Sequence, residues 1–232
     1  MKRVLISLTA ICLLILGSGF LLADLSGQET RDLATFTGIG IGVSADVFYA
    51  TGNTHEIKIE GNDRDVKDLI TKVENGTLKI KYDDWKISRS KLTIYITSKE
   101  LDKVSVSGSA KFKAKEVISA EEMYLAVSGS GSVQFSSLKS DEVDVKISGS
   151  GNAVIDEGTA DELDVKISGS GKLLAENFEV SECSAAISGS GHCKITVKDE
   201  LDARISGSGS VYYKGNPQIN STSSGSGKVR SL

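Results

Sequence analysis

A column of carboxylates is the pattern in this sequence that could bind a ligand most directly. A glutamate stands seven residues before a recurrent glycine in five successive segments: Glu122, Glu142, Glu162, Glu182 and Glu200. Glu100 joins them if Lys103 is counted as an inserted residue. Stacked in register, like charges would lie about 5 Å apart and repel one another. Ca²⁺ binds several carboxylate oxygens at once, so the column could hold calcium; a solvated acidic edge that keeps the protein soluble is the simpler interpretation.

A second charged column stands two positions closer to the glycines. It contains Asp144, Asp164 and Asp202, and a cation follows each of them two residues later. The cations are Lys146, Lys166 and Arg204. Residues two apart on a strand point to the same side, so we expect these cations to pair with the carboxylates along or between strands.

Serine columns run beside the charged ones. They contain Ser148, Ser168, Ser188 and Ser206, and Ser150, Ser170, Ser190 and Ser208. Stacked hydroxyls are expected to stabilise a sheet by hydrogen-bonding one another. A nucleophilic serine needs an activating base and an oxyanion hole, whereas the only nearby histidine is His192, in a single copy. The sequence therefore predicts a protein that is not an enzyme.

Two cysteines and an aromatic pair complete the candidate sites. Cys183 and Cys193 fall in columns otherwise filled by apolar residues, so we expect buried thiols, with a disulfide between them as the alternative. Tyr82 and Trp85 enclose two aspartates and form the best candidate for contact with a glycan. An exposed strand end is the simpler interpretation of that pair.

All of these columns follow from an internal repeat. Ser-Gly-Ser motifs recur so that their first glycine falls at positions 108, 129, 149, 169, 189, 207 and 225, spacings of 21, 20, 20, 20, 18 and 18 residues. Apolar and polar residues alternate before each glycine, as at Val143, Val145 and Ile147, and a period of two predicts a strand with one buried face. Each repeat is therefore predicted to contain a strand, a tight Ser-Gly-Ser-Gly corner, a second strand and a loop.

A repeat of this length cannot bury its own apolar face and must stack on its neighbours. We predict an all-β fold, a right-handed β-solenoid with one repeat per coil, in which 29–232 forms a single domain. Within it, 101–232 supplies seven repeats and 29–100 forms an irregular β region that caps the first coil. Glycine is expected at the corner because the bend requires a positive φ and leaves no room inside. A sandwich of plain hairpins is the alternative, but it gives no reason for the near-identity of the copies.

The irregular region has its own signals. Alternation predicts strands over 39–43, 57–59, 78–80 and 92–96. Asn75-Gly76 predicts a hairpin turn, and 63–73 is the only segment with a helical pattern. At the other end of the chain, Pro217 is expected to blunt the open edge of the last coil.

The first 28 residues have the pattern of a secretory signal. Lys2 and Arg3 precede an uncharged run from Val4 to Ala23, and small residues follow. We predict cleavage and export to the periplasm, the outer surface or the medium, with 1–28 as an uncleaved anchor being the alternative. This segment is the only predicted contact with a membrane. A net charge of −4, with Lys and Arg spread evenly, argues against nucleic-acid binding.

The opening of the irregular region also resembles a known family. The residues concerned are Phe36, Ile39, Ile41, Val43, Val47, Gly52, Ile57, Ile59 and Gly61, followed by the Ser-Gly-Ser-Gly repeats. They resemble the head GIN domain family over residues 31–230, whose members are secreted bacterial proteins common in Bacteroidetes. This resemblance implies an all-β fold of solenoid type, a surface or periplasmic location and an adhesive role, and it brings no catalytic residues.

Three classes of function follow. We predict first an adhesin-like, non-catalytic binding protein whose partner is a glycan or a protein on a cell surface. A structural rod that assembles with itself in the envelope is the alternative, and the oligomeric state stays open. An enzyme acting on an envelope polysaccharide is least favoured, because no Lys or Arg recurs in the glutamate column and aromatic residues are only 6% of the chain. No cofactor is expected, apart from the calcium considered above.

Overall fold

The computed structural model describes residues 26–84 and 88–232. Of the predicted leader 1–28, only the last three residues lie within this part of the chain. One helix occurs in it, α1 (Asp63–Asp68), and no described helix is long and apolar enough to cross a membrane. The strands, in chain order, are β1 (Ser26–Asp32), β2 (Gly38–Ile41), β3 (Ala45–Thr51), β4 (Glu56–Asn62), β5 (Ile70–Glu74), β6 (Thr77–Lys81), β7 (Leu92–Ser98), β8 (Lys103–Gly108), β9 (Lys111–Gly129), β10 (Ser132–Gly149), β11 (Asn152–Ile155), β12 (Gly158–Gly169), β13 (Lys172–Gly189), β14 (His192–Gly207), β15 (Ser210–Lys214), β16 (Gln218–Gly225) and β17 (Lys228–Ser231).

From β8 onward the chain winds into coils that stack in parallel register. Val143 lies opposite Leu163, for example, and Ile147 lies opposite Ile167. The first glycines of the corners form one column, at positions 108, 129, 149, 169, 189, 207 and 225. Neighbouring strands in such a stack are about 4.8 Å apart. The predicted β-solenoid with one repeat per coil is confirmed.

The apolar side of every coil before β16 faces one continuous core. Val143, Val145 and Ile147 are buried, and so are the equivalent residues of the neighbouring coils. Aromatic side chains stack along the axis, where the Phe112 ring centre lies 6.1 Å from that of Tyr49 and 5.7 Å from that of Phe135. Because no coil can bury this face alone, the hydrophobic effect ties each coil to its neighbours.

The segment that joins one repeat to the next is a strand, so the predicted loop is wrong for most coils. β10 runs without a break through the whole coil, with one register irregularity between Phe135 and Ser137 relative to β9. Its middle part buries both Ser137 and Leu138. A backbone that buries side chains must also satisfy its own N–H and C=O groups, and pairing with the adjacent coils does so.

Every corner after the first has two glycines, and the first glycine of the two has a positive φ. Gly149 has a φ of +103°, a conformation that residues with a side chain rarely adopt. Gly131, the second glycine of another corner, has no such φ, but a Cβ there would lie 2.6 Å from Val106 Cγ1 and 2.7 Å from the Ala110 carbonyl oxygen. The two expected reasons for glycine are both confirmed: Gly149 has the positive φ, and both positions lack space, since a Cβ on Gly149 would lie 2.7 Å from the Gly129 carbonyl oxygen.

The irregular region continues the stack out of chain order. β2 pairs in parallel with β8 on one side and β6 on the other, and β3 pairs in the same way with β9 and β7. The coil made by β6 and β7 is therefore the outermost one, although it follows β2 and β3 in the chain. Antiparallel strands then cover its edges, β5 against β6 and β4 against β7, with β1 outside β4.

Only the first half of the predicted helical segment 63–73 is helical. The side-chain oxygen of Asn62 caps α1 by accepting a hydrogen bond from the Arg64 N–H at 3.0 Å. The second half is β5, which pairs with β6 through the predicted turn at Asn75 and Gly76, where φ is 50° and 71°. The tight turn brings β5 onto the free edge of β6. The hydrogen bonds between these two strands therefore stabilise an extended conformation in a segment whose local pattern favours a helix.

The C-terminal end of the stack is open. Among the described strands, β16 pairs with β14 alone and β17 with β15 alone. All eight residues of β16 are exposed. Pro217 lies immediately before β16 and leaves its ladder uninterrupted. The inward positions of β16 are held by Ile219, Ser221 and Ser223, so the apolar core ends in hydroxyl groups.

Candidate ligand-binding groove

A shallow groove runs along the outer side of the strands that lead into the corners. It has a volume of about 740 Å³ and crosses six successive coils, and we name it the corner groove. Two columns of outward side chains line it: Ala126, Lys146, Lys166, Ala186, Arg204 and Thr222, and Ser128, Ser148, Ser168, Ser188, Ser206 and Ser224. Since these residues alternate with buried ones on parallel strands in register, the sequence repeat itself builds the groove.

The serine column of the groove is exposed and its hydroxyls are unpaired. Side-chain hydrogen bonds of serine occur elsewhere in the described residues, at Ser98, Ser140 and Ser223. The predicted mutual hydrogen bonding is therefore wrong for both serine columns. Stacked oxygens are about 4.8 Å apart, one strand spacing, whereas an O–H···O bond requires about 2.8 Å. The hydroxyls are exposed, although most of the groove wall itself is apolar.

Three cations line the groove, and one of them makes an ion pair with a carboxylate on its own strand. Lys146 Nζ lies 4.0 Å from Asp144 Oδ2 and 4.7 Å from the centre of the Tyr124 ring. Lys166 and Arg204 are exposed, and neither makes an ion pair with any described residue. The predicted pairing with the aspartate column is confirmed at Lys146 and wrong for the other two cations.

The glutamate column lies on the same strands, beyond the aspartates. Its members are in register from coil to coil: Glu122, Glu142, Glu162, Glu182 and Glu200. Loss of hydration to the surrounding protein, followed by repulsion from Glu122 and Glu162, raises the pKa of Glu142. No group of three or more His, Cys, Asp or Glu side chains in the described ranges is placed to share one metal ion. The column is a line of mutually repelling carboxylates, and calcium binding to it stays a prediction.

A second cleft, of about 730 Å³, lies at the end of this column nearest β8. Glu100 lines it together with the first glutamates of the column. Tyr124 also lines the cleft, but Lys103 and Lys146, from the coils on either side, lie 5.2 and 4.7 Å from its ring centre. The ring is held by cations of the protein itself and is not free to stack on a sugar.

The aromatic pair predicted to contact a glycan belongs to neither cavity. Trp85 lies outside the described residues. The Tyr82 hydroxyl donates a hydrogen bond to the Asp65 carbonyl oxygen at 3.0 Å, and the Arg89 guanidinium lies 4.4 Å from its ring centre. Burial, and then the charge of Asp65, raises the pKa of Tyr82 to about 12. Tyr82 therefore fastens the segment after β6 to α1, where Arg89 also makes ion pairs with Asp65 and Asp68.

The two cysteines are buried free thiols, as the column positions predicted. Burial raises the pKa of Cys193 to about 12 and that of Cys183 well above its usual value. The protonated thiols are inert and fill the core as small apolar side chains.

The solenoid and its repeats coincide with a known sequence family. The family model described as "Putative auto-transporter adhesin, head GIN domain" matches residues 35–217. The chain belongs to this family. The resemblance drawn from the opening strands and the Ser-Gly-Ser-Gly repeats is thereby confirmed, and a search of curated proteins gives no match.

Several solved structures are similar to this head GIN domain. A putative adhesin from Bacteroides fragilis aligns with a TM-score of 0.83 at 23% identity, covering 90% of this chain and 98% of that one. A putative lipid binding protein from Parabacteroides distasonis aligns with a TM-score of 0.75 at 24% identity, covering 90% and 98%. A putative adhesin from Parabacteroides merdae aligns with a TM-score of 0.72 at 23% identity, covering 90% and 97%. At these identities the likeness shows the shared fold alone.

Two features of this head GIN domain were missed by the sequence reasoning. The first is the groove, for which the signal was small residues, Ala126 and Ala186, in a column otherwise rich in cations. The second is an outward aromatic stack on β3 and β7. The Phe48 and Tyr95 ring centres are 5.5 Å apart, and Lys58 Nζ lies 5.4 Å from the Tyr95 ring centre. Their outward positions in alternating strands were the available signal.

Proposed function

We propose that this head GIN domain is an exported binding protein without catalytic activity, and that the corner groove holds an extended polymer such as a cell-surface glycan. The observation that carries this proposal is the regularity of the groove, where an unbonded serine hydroxyl recurs at each strand spacing across six coils. A linear polymer lying along the solenoid axis meets the same chemical group at every step. Many weak contacts of this kind add up to useful affinity.

The residues that line the groove favour binding over cleavage. They are Ala, Val, Ile, Ser, Thr, Lys and Arg, with no carboxylate and no histidine among them. Hydrolysis of a glycan needs a general acid and a general base beside the bond, most often two carboxylates. A groove with this lining can hold a sugar chain but lacks the groups to hydrolyse it.

An exported location fits this role. The family carries the adhesin name, and residues 1–28 have the pattern of a secretory signal. We place the protein in the periplasm, on the outer surface or outside the cell, with membrane contact only through its N-terminal segment. Extended glycans are accessible to a protein in these locations.

Filling the groove tests the proposal. Ala186→Tyr places a ring in the middle of the lining, and Ser184→Tyr places the same ring on the same strand, two residues away and outside the lining. The parent and both variants are measured against an array of linear glycans and against phospholipid vesicles. We expect the parent to bind at least one linear glycan, Ala186→Tyr to lose about tenfold or more in affinity, and Ser184→Tyr to bind like the parent.

Other results would contradict the proposal in distinct ways. Equal binding by both tyrosine variants would place the polymer on another surface. Binding to vesicles alone would identify the ligand as a lipid surface and not a polymer. No binding to either would favour the structural rod. Thermal melting of each variant establishes that a loss of binding does not reflect a loss of fold.

A further inference from the structure

We propose that the polymer in the corner groove is an acidic glycan whose anionic groups, carried on alternate sugars, are held by Lys166 and Arg204. This inference rests on the proposed function and adds the chemical class of the ligand. The unpaired charges of the groove and their spacing carry it.

The groove lining contains three positive side chains and no negative one. Lys146 differs from the other two in having a carboxylate partner, Asp144, on its own strand. Lys166 and Arg204 follow Asp164 and Asp202 by two residues, yet neither makes an ion pair of 4.0 Å or less with any described carboxylate. The whole chain has a net charge of −4, so binding of an anion here depends on the local charge of the groove and not on a general attraction for anions.

The spacing of the two cations matches a particular repeat. Lys166, Ala186 and Arg204 lie opposite one another on three adjacent strands. The cations are therefore about 10 Å apart along the axis, twice the strand spacing. One sugar of a linear glycan is about as long as one strand spacing, so an anionic group on every second sugar meets both cations. The small side chain of Ala186 leaves room for the neutral sugar between them.

The hydroxyl column supplies the second half of the recognition. Ser168, Ser188 and Ser206 lie on the same three strands, two residues after the members of the cation column, and all three are exposed. Each hydroxyl can donate and accept, which suits the hydroxyl groups of sugars. Each cation can make charge-assisted hydrogen bonds to a carboxylate or a sulfate. Together they present a hydroxyl to every sugar and a cation to every second one.

An extended acidic peptide fits this surface less well. Side chains on one side of a β-strand repeat at about 6.7 Å, which matches neither one strand spacing nor two. A peptide along the axis would therefore place its carboxylates out of step with Lys166 and Arg204. The spacing favours a glycan over a peptide of the same charge.

The test compares two forms of one polymer. A hyaluronan octasaccharide carries a carboxylate on alternate sugars, and its carboxyl-reduced form has the same chain without the charge. Affinities of the parent protein for both are measured by titration calorimetry at low and at physiological salt. We expect the reduced form to bind at least about tenfold more weakly, and added salt to weaken only the acidic form.

Charge variants identify the residues. Lys166→Gln and Arg204→Gln are each expected to lose about tenfold in affinity for the acidic octasaccharide, and Lys166→Arg to retain it. Lys172→Gln is the matched control, because it removes an exposed cation outside the groove lining. We expect it to bind like the parent.

The outcomes separate this inference from the function on which it rests. Equal affinity for the two octasaccharides, unchanged in both glutamine variants, would overturn the acidic ligand and leave a neutral glycan in the groove. An equal loss in Lys172→Gln would overturn the assignment to Lys166 and Arg204. Failure of both octasaccharides to bind would overturn the alternating acidic repeat, while the tyrosine variants above decide independently whether the groove binds a polymer.

Discussion

Glu142 carries a negative charge that its surroundings disfavour. Loss of hydration comes first, and the carboxylates of Glu122 and Glu162, one coil away on either side, add to it. The pKa of Glu142 in the folded protein is above the ordinary 4.5, so folding favours the protonated carboxyl group. The contribution of Glu142 to stability is therefore complete below pH 4.5 and is lost as the pH rises through the folded-state pKa. We expect Glu142→Gln to melt at a higher temperature than the parent at neutral pH, and at the same temperature below about pH 4. Thermal melting followed by circular dichroism over a pH series measures both.

Glu176 is a matched control, because its pKa is shifted in the opposite direction to that of Glu142. Its Oε1 lies 2.7 Å from Lys194 Nζ, and this hydrogen bond lowers its pKa. The contribution of Glu176 is therefore present above its ordinary pKa and is lost as the pH falls through the lower folded value. Glu176→Gln should melt below the parent at neutral pH. If the two glutamine variants shift in the same direction, repulsion within the glutamate column is not what governs Glu142.

Calcium gives the same column a separate test. Because the described residues do not gather three ligands around one point, we expect millimolar Ca²⁺ and an equal ionic strength of NaCl to raise the melting temperature alike. A larger shift with Ca²⁺, absent when Glu142, Glu162 and Glu182 are changed to Gln, would make the column a cation site. EDTA-treated protein is the starting point for both titrations.

Substitutions at two corner glycines distinguish the cost of backbone strain from the cost of steric crowding. Gly108 and Gly149 have φ values of +84° and +103°. A Cβ on Gly149 would lie 2.7 Å from the Gly129 carbonyl oxygen, whereas nothing lies within 4 Å of a Cβ on Gly108. Gly108→Ala should lower the free energy of unfolding by about 1 kcal/mol through strain, and Gly149→Ala by about 1–3 kcal/mol more through the clash. Urea denaturation measures the difference, and equal losses would mean that adjacent corners move apart freely.

Positions in the columns could be predicted from the sequence, but contacts between their side chains could not. Equivalent residues recur at a fixed offset from each glycine, which places Glu142 opposite Glu162 without any structure. Lys146 and Lys166 occupy equivalent positions as well, yet only Lys146 reaches its aspartate and a tyrosine ring. The choice between pairing and exposure depends on side-chain torsions and on the residue one coil away, neither of which appears in the spacing.

At the scale of elements, the coils of the repeat region pair with their neighbours in the same register, so the protein should still fold when one whole coil is deleted. Deleting 150–169 removes β11 and β12 whole and brings β10 against β13, which both pair with β12 in the same register. We expect a folded protein with a strand-rich circular dichroism spectrum and a cooperative transition at a lower temperature, since one coil of core is lost. Deleting 150–159 removes half a coil and should prevent folding. An unfolded 150–169 deletion would show that the coils are not interchangeable.

The elements differ in how well they could be predicted. Strict alternation marked the strands before each corner. The segments between repeats gave no such signal, because adjacent residues such as Ser137 and Leu138 are both buried where the chain bends. The spatial order of the N-terminal coils was also hidden, since it depends on which strand edges remain free and not on any local pattern.

At the scale of the whole molecule, the two ends of the solenoid are unlike. Among the described strands, the free edges at the N-terminal end, on β1 and β5, belong to antiparallel pairs, whereas those at the C-terminal end, on β16 and β17, belong to parallel pairs, so the two ends are not complementary. Head-to-tail filaments need two complementary open ends. We expect light scattering to find monomers, or pairs joined by their C-terminal coils, at every concentration. Filaments in electron micrographs would contradict this expectation and support the structural rod. If pairs form, Asn220→Lys should separate them, because it places a charge on the terminal strand β16.

The coil that lies outermost at the N-terminal end is synthesised after the coil that it covers. Gly38 pairs with Lys103, 65 residues later, whereas Glu142 pairs with Glu162, only 20 residues later. Closing the longer loop costs about 1 kcal/mol more in chain entropy. We therefore expect the regular coils to form before β2 pairs with β8. Pairing of β2 with β8 must wait until residue 103 has been synthesised, so the coil formed by β2 and β3 is completed by a segment of the chain that is made much later.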